Sequence, residues 1–236
     1  MKGSVLVTGG ARRIGRAICD GLAARGWRVL VHSRDPRNPF AADFSEDGSV
    51  ERLFAATIEA APDLCAIVNN AAAFSTTTEL PPKETAAMMR INSEVPILLI
   101  ELLAEHLAVR GLSGSAVNLL DVRILGAVAG ESSSVDMTPY AKSKLALARA
   151  TLTLARRLAP AIRVNGVAPG PVLAPADAAN SEKGGAILLS RRPSPTDVAE
   201  TVAFMLEAES ITGQILAVDS GQSLALGGQA TIAFAG

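Results

Sequence analysis

Six short, continuously apolar runs recur along the chain, separated by longer stretches with helical periodicity. The runs are Ser4–Thr8, Arg28–His32, Leu64–Asn69, Ser115–Leu120, Ile162–Val167 and Gln214–Val218. A strand that stays apolar on successive residues has both faces buried. Strands of that kind alternating with helices form a parallel sheet covered on both sides. The intervening stretches fit this alternation. Ile14, Ile18, Leu22 and Arg25 recur at helical spacing, and Gly26 is placed to end that helix. Glu84–Val109 reads as a long helix that Pro96 breaks or kinks. Tyr140–Leu158 ends before Pro160, and Pro195–Glu209 opens with Ser194 as N-cap and Pro195 at the first helical position. The expected architecture is a single doubly wound α/β domain over residues 1–236, with a mostly parallel sheet of about seven strands.

Composition narrows the function classes. A net charge of −1 gives no basic face for nucleic acid or a membrane surface, and 49% hydrophobic content excludes a disordered chain. No uncharged apolar run reaches the roughly 18 residues of a membrane helix. Met1–Val7 turns into glycine too early for a signal peptide. The expectation is a soluble cytoplasmic protein that acts on a small molecule. Two cysteines, Cys19 and Cys65, exclude a disulfide framework, and His32 and His106 lack ligand spacing, so no metal site is expected. The stretch 172–194, rich in Pro, Gly, Ser and Ala, follows a strand and is expected to be a substrate lid.

The first run ends in Thr8-Gly9-Gly10-Ala11-Arg12-Arg13-Ile14-Gly15, and a helix follows. A glycine-rich turn from the first strand into the first helix lets backbone N–H groups approach a phosphate, and the helix dipole favours the anion. This is the Rossmann context for a dinucleotide, with Gly9, Arg12, Arg13, Ile14 and Gly15 as candidate contacts. The second run closes in Val31-His32-Ser33-Arg34. Ser33 and Arg34 suit a 2′-phosphate, with added charge from Arg12, so NADP(H) is the expected cofactor. Asp35, which falls late, is what an NAD reading would use.

Tyr140 and Lys144 are i and i+4 on one helix, so both side chains lie on one face. An ammonium near a phenol lowers the phenol's pKa and readies it for proton exchange. Tyr140 is the chain's only tyrosine.

These features resemble the short-chain dehydrogenase/reductase family across essentially the whole chain. Thr8, Gly9 and Gly15 match its TGxxxGxG turn, and Tyr140 and Lys144 match its YxxxK pair. The resemblance assigns Asp43, after a short third strand, to adenine. It assigns Asn70 and Ala71 of Asn69-Asn70-Ala71-Ala72, and Pro169-Gly170, to the cofactor site. Asn92 takes the place of the family's asparagine, which supports a water linked to the lysine. The family also implies a homo-oligomer, a tetramer or a dimer.

Two departures point to one branch. Asp121 stands where the family's catalytic serine ends the fifth strand, and Arg13 replaces the middle glycine of the turn. Asp121 lies 19 residues before Tyr140, longer than the family's usual interval, which implies an insert within Arg123–Met137. Both departures, with Phe74 where an aromatic covers the pterin, resemble the pteridine and dihydromonapterin reductases. The resemblance implies NADPH-dependent hydride transfer to a pteridine C=N bond. Tyr140, Lys144, Asn92 and Asp121 would be catalytic, Tyr140 and Lys144 would also contact the cofactor, and Arg13, Phe74, Asp121 and Tyr140 would contact substrate. A carboxylate repels a developing alkoxide and suits a substrate offering N–H donors. The alternative is a carbonyl reductase for a ketone such as a 3-oxoacyl thioester, with one of Ser132, Ser133 and Ser134 supplying the hydroxyl. A non-catalytic NADP-binding sensor is the alternative from another class.

Overall fold

The computed structural model describes residues 2–129, 138–172 and 187–226. In chain order the elements are β1 (Ser4–Val7), α1 (Arg13–Ala24), β2 (Arg28–Val31), α2 (Ser49–Ala60), β3 (Leu64–Asn69), α3 (Pro82–Met89), α4 (Val95–Ala108), β4 (Gly114–Leu119), α5 (Leu125–Val128), α6 (Pro139–Leu158), β5 (Ile162–Pro169), α7 (Pro195–Glu207), β6 (Ile215–Val218) and α8 (Gln222–Leu226). The strands pair in parallel in the order β2-β1-β3-β4-β5-β6. The chain winds outward from β1 to β2 and then returns to β3 on the other side of β1. The carboxyl ends of β1 and β3 therefore open at a topological switch point, where ligands of open α/β sheets bind.

Alternation along the strands explains the two helical layers. Leu6 and Ile67 pack with Leu53, Phe54, Leu99, Leu103 and Leu154 of α2, α4 and α6. Their neighbours Val5, Val7, Ala66 and Val68 face Ile18, Leu22, Val198 and Val202 of α1 and α7. Each of the larger of these side chains, withdrawn from water, stabilises the fold by roughly 1.5–3 kcal/mol. Helix ends follow the local signals. Gly26, at φ 86°, ends α1, Thr138 caps α6 by accepting from the Ala141 N–H, and Ser194 and Asp197 form a reciprocal capping box on α7.

One expectation changes, and the break expected at Pro96 takes a definite form. The sheet among the described residues has six strands, not seven. The segment after β2 contributes only a single bridge between Ser33 and Ala41, because Pro36 and Pro39 cannot donate to a ladder. The long helix expected over Glu84–Val109 is divided into α3 and α4 by a π-helical turn, Arg90–Glu94. Pro96 has no N–H for the Asn92 carbonyl, and its ring crowds that carbonyl, so the preceding turn widens. Among the described residues no helix is long and apolar enough to cross a membrane. Most of the expected lid (173–186) lies outside the described residues, as do Ser132, Ser133 and Ser134.

Candidate functional site

At the end of β1, Gly9 turns left-handed at φ 63°. A Cβ on Gly15 would stand 2.2 Å from the Gly9 carbonyl oxygen, so only glycine lets α1 begin this close to the strand. Arg13, where the family has glycine, also adopts a positive φ of 53°, at a cost of about 1–2 kcal/mol for a side-chain-bearing residue. The turn is pinned to the end of β3. The Thr8 hydroxyl oxygen accepts from the N–H groups of Asn70 and Ala71, at 3.0 Å each. The Asn70 amide donates to the carbonyls of Thr8 and Gly9, at 2.9 and 3.0 Å. No acidic side chain lies in the first turn of α1 and no side chain caps it. Arg12 and Arg13 are exposed beside it. This cradle fits the pyrophosphate of a dinucleotide.

His32 joins the turn to the segment beyond β2. Its Nδ1 accepts from the Gly9 N–H at 3.1 Å, and its Nε2 lies 3.1 Å from the Ala42 carbonyl oxygen. A carbonyl only accepts, so the proton sits on Nε2. Burial lowers the imidazole's pKa, and the ring stacks on Phe44 at 4.4 Å. Asp43 sits on this platform. The Ser45 N–H and hydroxyl hold its carboxyl below the usual range, and the Arg34 charge adds to the effect. Asp35 is taken up by a two-pronged ion pair with Arg37, at 3.0 and 2.7 Å, whereas Arg34 and part of Ser33 face solvent. At the far side, Pro169 ends β5, and the Gly170 N–H donates to Val218 at 2.9 Å. A Cβ on Gly170 would lie 2.8 Å from Asp219.

The structure brings Tyr140, Lys144, Asp121 and Phe74 together. Tyr140 Oη donates to Asp121 Oδ2 at 3.3 Å. The exposed Phe74 meets the Tyr140 ring edge to face, with centroids 4.9 Å apart. Lys144 is buried, with Nζ donating to the Leu119 carbonyl at 2.7 Å and 5.9 Å from the Tyr140 ring centroid. Burial pushes this ammonium down to about 8, against an upward pull from Asp121. The phenol behaves otherwise than the pairing alone predicts. Burial first, and then the Asp121 charge, push Tyr140 well above the ordinary phenol value. It is therefore a protonated donor at neutral pH, not a phenolate.

Asn92, fully buried in the π-helical turn, spends its amide on protein groups. Its Oδ1 accepts from the Ala73 N–H at 2.8 Å, and its Nδ2 donates to the Ala73 carbonyl and the Ser143 hydroxyl, at 2.9 Å each. Ser143 in turn donates to the Tyr140 carbonyl at 2.7 Å. Asn92 thus fixes the Phe74-bearing segment against the Tyr140-bearing helix. Sequence reasoning missed Ser143, which stands inside Tyr140–Lys144, and Arg123. Arg123 clamps Asp121 through Nε and Nη2, at 2.9 Å each, and lies 5.2 Å from the Tyr140 centroid and 6.0 Å from that of Phe74. Its position two residues after Asp121, in the expected insert, was the one available signal.

A family model described as enoyl-(acyl carrier protein) reductase matches residues 9–223. A dihydromonapterin reductase from an Enterobacter species is 32% identical over 238 residues, covering 93% of this chain and 96% of the relative. A putative ketoacyl reductase of granaticin polyketide synthesis from Streptomyces violaceoruber is 32% identical, over 93% of this chain and 95% of its own length. Among solved structures, FolM alternative dihydrofolate reductase 1 from Brucella canis, complexed with NADP, superposes with a TM-score of 0.83 at 33% identity. The match covers 98% of each chain.

Proposed function

The chain belongs to the short-chain dehydrogenase/reductase family, and on that premise we propose that it is an NADP-dependent reductase that adds hydride to a C=N bond of a pteridine of the dihydropterin or dihydrofolate type. The carrying observation is the carboxylate of Asp121 on the hydroxyl of the lone tyrosine, where a family serine would place an alcohol. The similarity to a dihydromonapterin reductase and to a dihydrofolate reductase supports the same reading. It acts in the cytoplasm as a homo-oligomer.

NADPH, when bound, would supply the hydride. The residues do the rest. The α1 turn with Gly9, Ile14 and Gly15 receives the pyrophosphate, while Arg12, Arg13, Ser33 and Arg34 provide charge and donors for the phosphates. Asp43, Asn70, Ala71, Pro169 and Gly170 complete the cofactor contacts. Phe74, exposed beside Tyr140, stacks a flat ring, which is worth roughly 0.5–1.5 kcal/mol beyond area burial. Tyr140, kept protonated by burial and by Asp121, gives its proton to the ring nitrogen. Lys144, charged at neutral pH, then favours the phenolate left behind. This direction suits reduction, which consumes a proton.

Two outcomes follow directly. Replacing Arg34 with Ala is expected to weaken NADPH binding by about ten- to a hundredfold, on the usual scale of charge-assisted bonds, with NADH binding unchanged. Fluorescence titration of both cofactors checks this. The Lys144 ammonium is present below pH 8 and lost above it, so kcat/KM for reduction should fall as pH rises through about 8. A profile flat through that range would contradict the role given to Lys144. The reading itself is tested by following NADPH oxidation with a dihydropterin and with a 3-oxoacyl thioester side by side. Turnover of the dihydropterin is expected, and turnover of the thioester alone would overturn the reading in favour of the ketone-reducing alternative.

A further inference from the structure

The Asp121 carboxylate has no acceptor capacity left to offer. Its Oδ1 receives the backbone N–H and the Nε of Arg123, at 2.9 Å each. Its Oδ2 receives Nη2 of Arg123 at 2.9 Å and the hydroxyl of Tyr140 at 3.3 Å. A carboxylate has about four acceptor positions, and these four contacts fill them. Asp121 caps its own helical turn, Val122–Ile124, whose flanking side chains Val122 and Ile124 are buried at 5% and 0% exposure. The backbone half of the clamp is thereby fixed in the core, and the guanidinium closes the other half from outside.

We propose that Arg123 is a positioning residue for the reduction, holding Asp121 in the orientation that receives the Tyr140 hydroxyl and keeping that carboxylate from binding the substrate. This rests on the pteridine-reductase reading for its substrate but not for its geometry. A planar, two-pronged donor fixes a carboxylate's orientation as a point charge cannot. The pair also carries no net charge, which offsets the repulsion that a lone carboxylate would exert on electron density building up on the substrate. Substrate N–H groups therefore find their acceptors elsewhere in the pocket, and Asp121 acts through Tyr140.

The test uses the fact that the chain has one tyrosine. Protein labelled with carbon-13 at the tyrosine hydroxyl-bearing carbon gives one resonance, which reports the hydrogen bond to Asp121 without any substrate. In Arg123→Met this resonance is expected to move toward its position in Asp121→Asn, while Arg123→Lys stays between the Met variant and wild type. On whichever of the two substrates the wild type turns over, Arg123→Met should lower kcat at least tenfold with KM changed less than threefold, and Arg123→Lys should recover part of the loss. NADPH binding should stay unchanged in both. A resonance at its wild-type position in Arg123→Met, with that of Asp121→Asn displaced, would overturn the proposal, whatever kcat does. Should Arg123→Met fail to fold, the Lys variant decides alone: it must displace the resonance measurably, and coincidence with wild type counts against the clamp. Failure of the pteridine reading shows separately, as turnover of the thioester only.

Discussion

Tyr140→Phe is expected to lower kcat for NADPH-dependent reduction by roughly 10²–10⁴-fold, the usual contribution of a positioned general acid. The ring stays in place, so its edge contact with Phe74 is kept. The hydroxyl lost is one of four groups on Asp121, and Arg123 supplies the other three. The carboxylate therefore remains satisfied, and the cost in stability should be about 1 kcal/mol or less. Melting temperature should then fall by no more than a few degrees, and NADPH affinity should change far less than turnover. Steady-state kinetics alongside thermal unfolding separate this from damage to the fold. Turnover preserved in Tyr140→Phe would point to another proton donor, and a wild type inactive on every substrate tried would point to a sensor without catalysis.

Asp121→Asn should have the second largest effect. It keeps the side chain's size but removes its charge and turns an N–H₂ toward the donors of Arg123. Loss of a hydrogen bond to a charged group is worth about 1.5–3 kcal/mol, or roughly ten- to a hundredfold in rate. The same substitution has a sign that can be read directly. Asp121 is one of the two main causes that push the Tyr140 phenol up, burial being the larger. Removing it should bring the phenol's ionisation down in pH. Tyrosinate absorbance comes from this one residue, so the titration is unambiguous. An unchanged or higher midpoint would mean that the carboxylate does not act on the phenol.

Much of this was written locally in the chain. Continuous apolar runs give parallel strands because burial on both faces needs no distant information, and Gly9 and Gly15 mark the turn because the backbone approaches itself there. Tyr140 and Lys144 share a face by helical geometry alone. What was not legible depends on tertiary neighbours. The direction of the Tyr140 shift is set by burial and by a carboxylate 19 residues away in sequence, not by the lysine that spacing makes conspicuous. Asn92 is marked by its match to the family's asparagine, but its partners Ala73 and Ser143 emerge only when the π-helical turn delivers it to them. Arg123 carries no motif, because its meaning is a two-residue ion pair at a strand end. Among the described residues the seventh strand shrinks to one bridge for a local reason that the sequence did contain, the prolines at 36 and 39.

The central claim is that hydride reaches a pterin ring in the pocket framed by Phe74, Tyr140 and Asp121. It is tested most directly by supplying NADPH deuterated at the transferring position, with a dihydropterin as acceptor, and locating the label by mass spectrometry and NMR. One deuterium on a ring carbon of the tetrahydropterin, absent when Tyr140→Phe is used over the same time, is the predicted result. Unlabelled pterin recovered beside a deuterated 3-hydroxyacyl thioester, from a mixture of both substrates, would contradict the account.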